Sequence, residues 1–261
     1  MDGRREGIRA DAVRIVDEAM ADGRVGFAVQ AICAIDDLCE VLYGECLARV
    51  RRSDGVLYEA AEFVPCMEAL GVTPRLDRHM VGLALDWLGE DSNIVLGCNL
   101  SADNLRDRVN WEGVLEKVRA RPHLAARLIL ELTETQPLKD VSFAAALIAD
   151  VRQLGCRVAL DDFGMGSATP GLLQLIDFDI VKIDRTFLHQ ARRSADGFDS
   201  IRHLVAFASC FAPVVVVEGV ETEAQVTAAR AAGATHVQGR FLSGPIVRDH
   251  VILVTAKEAE S

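Results

Sequence analysis

The stretch VALDDFGMGSATPG, residues 158–171, runs an apolar strand pattern into two adjacent aspartates and then a glycine-rich loop. Side-by-side carboxylates at a strand end repel unless a cation lies between them. The same design recurs along the chain. Short β-branched runs occupy 94–101 (IVLGCNLS), 128–134 (LILELTE), 158–164, 180–187 (IVKIDRTF), 214–221 (VVVVEGVE) and 236–243 (HVQGRFLS). Helical, Ala/Leu/Arg-rich segments lie between them, near 110–121, 140–154, 169–176, 198–211 and 222–232. Nearly continuous apolar strands alternating with helices predict a parallel sheet buried on both faces. Two earlier strands, near 25–35 and 40–51, bring the count to eight, which favours a closed α/β barrel over an open doubly wound sheet. An open nucleotide-binding sheet would carry G-x-G-x-x-G or G-x-x-x-x-G-K-[ST], and the sequence has neither.

Nearly every predicted strand ends in polar residues that would be costly to bury alone. In order these are Asn99, Glu131 with Glu134, Asp161 with Asp162, Lys182 with Asp184, Glu218 with Glu221, and Gln238; the strand VLYGECLAR adds Glu45 and Arg49. In a barrel such ends converge at the C-terminal mouth. Lys182 and Asp184, two residues apart, share a strand face. Several carboxylates and an amide, with His and Cys missing, describe a site for hard cations such as Mg²⁺ or Mn²⁺. One or two such ions beside a lysine point to hydrolysis of a phosphate ester.

The rest of the chain sets limits. Half of the residues are apolar, enough for a large core. The net charge of −11 argues against binding a nucleic acid polymer. No apolar run reaches the roughly 18 residues of a membrane span. The charged N-terminus lacks the apolar core of a secretion signal, so a cytoplasmic protein is expected. The boundaries expected are an N-terminal helical segment over 1–24, a barrel domain over 25–250 and a tail over 251–261. Seven scattered cysteines suit small core residues rather than disulfides or zinc. Asp162-Phe163-Gly164 lacks the companion motifs of a kinase. Glu223 reads as an acidic first turn of a helix, and Trp87 and Trp111 as packing residues.

Seven motifs in order, GECLAR, CNLS, LILELTET, VALDDFGMG, VKIDRTF, VVVVEGVETEAQ and VQGRFLSGP, resemble the EAL-domain cyclic di-GMP phosphodiesterases from about Phe27 to Pro245. The resemblance implies a modified (β/α)8 TIM barrel whose first strand runs antiparallel to the rest. It also implies hydrolysis of cyclic di-GMP to linear pGpG with Mg²⁺ or Mn²⁺, and a homodimer. By the same resemblance Glu45, Asn99, Glu131 and Asp161 hold a first metal, and Asp162 and Asp184 serve a second metal or its water. Lys182 lies near the attacking water, and Glu218 is a general base or a metal ligand. Glu221 and Gln238 support the lysine and the metal shell, and Glu134 shapes the loop after Gly164. Arg49 meets substrate phosphate, and Gln30 lies near the substrate. The departures are Cys46 in the name motif, Ala31, Val50, Arg240, and Met165, Ser167 and Ala168 in the loop. They bear on substrate affinity, loop dynamics and dimer coupling. The rival reading is a non-catalytic cyclic di-GMP receptor or protein-interaction module.

Overall fold

The computed structural model describes residues 2–133, 140–165, 170–192, 199–242 and 246–247. In chain order the elements are α1 (Asp2–Ala21), β1 (Val25–Ala34), β2 (Val41–Arg51), β3 (Leu57–Glu59), α2 (Ala60–Ala69), α3 (Thr73–Glu90), β4 (Leu96–Leu100) and α4 (Arg108–Arg119). There follow β5 (Leu128–Thr133), α5 (Val141–Gln153), β6 (Arg157–Phe163), α6 (Pro170–Leu175), β7 (Ile180–Ile183) and α7 (Arg185–His189). The last are α8 (Ser200–Ala208), β8 (Val214–Val217), α9 (Glu223–Ala232), β9 (His236–Gln238) and β10 (Ile246–Val247).

The sheet closes on itself. β2 and β4 through β9 pair in parallel, and β1 is antiparallel to both β2 and β9. The result is an eight-stranded mixed barrel, with β3 continuing the edge of β2 and β10 lying against β1. This is the (β/α)8-type barrel with an inverted first strand expected from the sequence.

Two apolar layers hold the barrel. Ile32, Tyr43, Ile129, Ala159, Ile180 and Val216 plug its interior. The outward faces of the strands pack against the helices in one large core that includes Leu85, Trp111, Leu130, Ile148, Val181 and Val217. Helix starts follow from local chemistry. The Asp107 and Asp140 side chains accept the backbone N–H groups of Val109 and Phe143, while Thr222 and Gln225 form a capping box at the start of α9. Glu223 falls in that first turn, as the sequence indicates. Arg127 closes the end of α3 by donating to Leu88 O and Asp91 O, both at 2.6 Å.

The C-terminal strands are shorter than their apolar runs. β7 stops at Ile183 because the Asp184 side chain accepts the Thr186 N–H and starts α7, so 185–187 is helical. β8 and β9 stop at Val217 and Gln238, where the chain turns over the mouth. The pair α2–α3 and the short β3 are additions to the elements that periodicity predicts. Cys33, Cys46, Cys98 and Cys156 are buried, whereas Cys39 and Cys210 are exposed. Among the described residues no helix is long and apolar enough to cross a membrane.

Candidate active site

The site is one pleat above the apolar plug. Side chains two apart share a face of a strand, and each plug residue has a polar partner at that spacing. Tyr43 leads to Glu45, Ile129 to Glu131, Ala159 to Asp161, Ile180 to Lys182 and Val216 to Glu218. On β1, which runs the other way, the step is backward, from Ile32 to Gln30. Six strands thereby deliver carboxylates, a lysine and an amide to one level of the barrel.

Lys182 is at the centre and fully buried. Its Nζ lies 2.8 Å from Glu131 Oε2, 2.9 Å from Asp161 Oδ1, 2.9 Å from Glu218 Oε1 and 3.1 Å from Glu45 Oε2. Glu45 is further held by Gln238 Nε2, at 2.6 Å from Oε2, and Asn99 Nδ2, at 2.7 Å from Oε1. Gln238 Nε2 also donates to Gln30 Oε1 at 3.2 Å.

Adjacent aspartates in a regular strand would point to opposite faces. Here the β6–β7 register shifts between Leu160 and Phe163, and Asp162 takes a left-handed backbone with φ +54°. The irregularity breaks the alternation and brings both carboxylates to the mouth. Two groups of carboxylate oxygens result, each within 4.8 Å of one another: Glu45 with Glu131 and Asp161, and Asp161 with Asp162 and Glu218. Asp161 belongs to both.

Five carboxylates around one ammonium leave the site short of positive charge. Burial, followed by the neighbouring acids, pushes Glu131 up to about 8 and Asp162 up to about 6. Asp161 and Glu218 are also raised, first by burial. Glu45 is lowered despite its burial, because Lys182, Gln238 and Asn99 all favour its charge. Lys182 is held well above the usual lysine range by Asp161, Glu131, Glu218 and Glu45 against the cost of burial.

A divalent cation fits this donor set. Asn99 Oδ1, both Glu131 oxygens, Asp161 Oδ1 and Gln238 Oε1 are buried without a hydrogen-bond partner. Glu131 Oε2 and Asp161 Oδ1 touch Lys182 at ion-pair distance but off the hydrogen-bonding angle. Buried oxygens normally find partners, and a Mg²⁺ or Mn²⁺ ion at the two groups would supply them. Gly97 makes the room: a Cβ there would overlap Glu131 Oε1 and lie 2.6 Å from Tyr43 Cε2.

Glu45, Asn99, Glu131, Asp161, Lys182, Glu218, Gln238 and Gln30 are thus brought together, with Asp162 at the rim. Asp184 caps α7 instead, although its charge contributes to raising Asp162. Glu221 is exposed, with its N–H donating to Gln225 Oε1 at 2.7 Å. Arg49 is buried and turned to its own strand, donating to Ala48 O at 3.0 Å and Leu47 O at 3.2 Å, with Glu59 at 3.6 Å. Met165 is exposed, whereas Glu134, Ser167 and Ala168 lie outside the described residues.

Sequence reasoning missed three supports. Tyr43 and Gly97 form the floor beneath Glu131; a glycine inside a strand signals such a close approach. Asp77 on α3 is the third. Its Oδ2 accepts from Ser101 N at 2.9 Å, Ser101 Oγ at 2.8 Å and Asn104 Nδ2 at 2.6 Å, pinning the turn after Asn99. A cavity of about 310 Å³ opens from Asn99 and Asp161 along α2 and α3, and its walls include Val64, Asp77 and Met80.

An eight-stranded barrel with an inverted first strand and an acidic, oxygen-only site at its mouth defines a class of α/β-barrel proteins suited to divalent metals. The EAL domain family model matches residues 13–245, and the chain belongs to that family. It is 29% identical over 250 residues to an uncharacterised protein of Mycobacterium tuberculosis, covering 93% of this chain and 38% of that protein. It is 26% identical over 211 residues to the cyclic di-GMP phosphodiesterase PdeF of Escherichia coli, covering 78% of this chain and 28% of PdeF. The chain therefore spans well under half the length of these relatives. The FimX EAL domain from Pseudomonas aeruginosa, solved bound to c-di-GMP, superposes with a TM-score of 0.75 at 22% identity, covering 90% of this chain and 96% of that domain. At that identity the likeness establishes the fold.

Proposed function

We propose that the chain is a Mg²⁺- or Mn²⁺-dependent phosphodiesterase that opens cyclic di-GMP to linear pGpG. The observation that carries the reading is the complete donor set: Glu45, Asn99, Glu131 and Asp161 would hold one ion, and Asp161, Asp162 and Glu218 a second. Ions bound there supply Lewis acidity toward a phosphoryl oxygen and activation of water. The chain's own residues do the rest. Lys182 aligns the neighbouring carboxylates, favours their charged forms against burial, and offers donors to phosphate or water. Glu218, 2.9 Å from Lys182 Nζ and the most exposed of the four carboxylates around it, is placed to take a proton from the attacking water. Water adds to phosphorus, one P–O bond breaks, and the proton balance closes when the departing 3′ oxygen is protonated. The apolar end of the cavity shelters part of the nucleotide from solvent.

The decisive experiment is a metal-titrated turnover assay that resolves cyclic di-GMP from pGpG. Intact cyclic di-GMP with both metals would refute the reading; tight nucleotide binding without pGpG would establish the receptor alternative. A homodimer belongs to the same proposal, supported by the exposed Met165 and Leu175 around the β6–α6 connection. Sedimentation of the purified chain reads it directly.

A further inference from the structure

We infer that His189 is a positioning residue for Glu218, acting through the carbonyl of Gly219; the inference rests on the role proposed above for Glu218.

Glu218 lies one residue beyond β8, where the strand ladder no longer holds the chain. The turn Glu218-Gly219-Val220 is clamped from two sides instead. On one side Val220 N–H donates to Gln238 O at 2.9 Å and Phe241 N–H to Val220 O at 3.0 Å. On the other, Glu218 N–H donates to Ile183 O at 3.1 Å, and His189 Nε2 lies 2.8 Å from Gly219 O. A carbonyl only accepts, so the proton is on Nε2, in the neutral ring or the cation alike.

The turn has little freedom to find another arrangement. Gly219 has φ +70°, and a Cβ there would overlap Arg185 Cβ, so α7 packs directly under it. α7 starts three residues after Lys182 and ends at His189. One short helix thus ties the strand carrying the central ammonium to the turn carrying Glu218. It helps fix the 2.9 Å between Lys182 Nζ and Glu218 Oε1. His189 is the side-chain end of that tie, and it is exposed, so its removal leaves the core untouched.

The test compares wild type, H189A, H189Q and H189A combined with E218Q. Readouts are kcat and KM on cyclic di-GMP, Mn²⁺ affinity, Tm, and amide exchange at Glu218 and Val220 in metal-free protein. H189A should lower kcat roughly tenfold with KM little changed, since small misplacements of a reacting group cost up to about a hundredfold. Exchange at Glu218 and Val220 should quicken, Mn²⁺ affinity should fall, and Tm should hold. H189Q, whose amide reaches the same carbonyl, should restore the wild-type values. On the E218Q background H189A should cause no further loss of kcat or Mn²⁺ affinity. Wild-type kcat and exchange in H189A, or an equal loss on the E218Q background, would overturn the inference. If the wild type turns nothing over, the proposed function fails, while exchange and Mn²⁺ affinity still judge His189.

Discussion

Replacing Lys182 by methionine isolates the tension inside the barrel. Four carboxylate oxygens lie 2.8 to 3.1 Å from its Nζ. At an effective dielectric of about 20, each such pair carries a gross attraction of about 5 kcal/mol. Burial of the ammonium and repulsion among the acids offset much of that sum. Breaking a buried ion pair by removing one partner costs about 3–5 kcal/mol, because the remaining charge is left uncompensated. K182M should therefore lose about that much stability at pH 7.5 in metal-free buffer. The loss must depend on pH. Carboxyl groups with folded pKa values above their unfolded ones bind protons more tightly when folded, so their contribution is full in acid and disappears as pH rises through the folded pKa. In the wild type Glu131 is already at about 8 and Asp162 at about 6, and removing the lysine pushes both higher. The deficit of K182M should thus be small near pH 4, open above about pH 6, where Asp162 ionises in the wild type, and widen further above about pH 8, where Glu131 does. A divalent ion should compensate, adding about 2.7 kcal/mol at a hundredfold excess over its Kd. Urea titrations at pH 5 and 7.5, with and without MgCl₂, measure all of this. A K182M protein as stable as wild type at pH 7.5 without metal would refute the reasoning, as would a deficit unchanged between the two pH values.

Three further outcomes are expected. E45A should abolish turnover and lower Mn²⁺ affinity at least tenfold by calorimetry, since Glu45 is in the first carboxylate group; retained activity would remove Glu45 from the ligand set. G97A should displace the Glu131 carboxylate and cost about 1–3 kcal/mol as overpacking, seen as a lower urea midpoint together with weaker Mn²⁺ binding. Burial pushes Asp77 up to about 7, so its contribution to stability falls as pH rises from about 4 to 7; D77N should flatten the stability–pH curve there by at most about 4 kcal/mol.

The barrel was legible because its signal is repeated: apolar runs ending in polar residues mark the pleat that separates plug from site. Most of the acidic cluster was legible for the same reason, since each member is two residues beyond a plug residue. What the sequence could not settle is where a polar strand end turns. Asp184 and Asp161 look alike as carboxylates closing apolar runs, yet Asp184 meets the Thr186 N–H and becomes a cap. Glu221 precedes the Thr222–Gln225 box, which starts α9 and leaves it exposed. The geometry of Asp161-Asp162 depends on a register shift, a tertiary property of β6 against β7. The central place of Lys182 emerges only when four strands converge on it.

The inverted first strand also changes where the chain enters the barrel. Val25, the first residue of β1, pairs with Val50, beyond Glu45 on β2, and Arg51 N–H donates to Arg24 O at 2.9 Å. The strand therefore begins at the mouth and descends toward the floor, opposite to the strands that follow it around the ring. α1, whose Ile15, Val16 and Ala19 join the core with Val25, Val50 and Phe63, is consequently mounted at the working end of the barrel. In the chain, β1 alone therefore separates α1 from Gln30, the residue that pairs with Glu45.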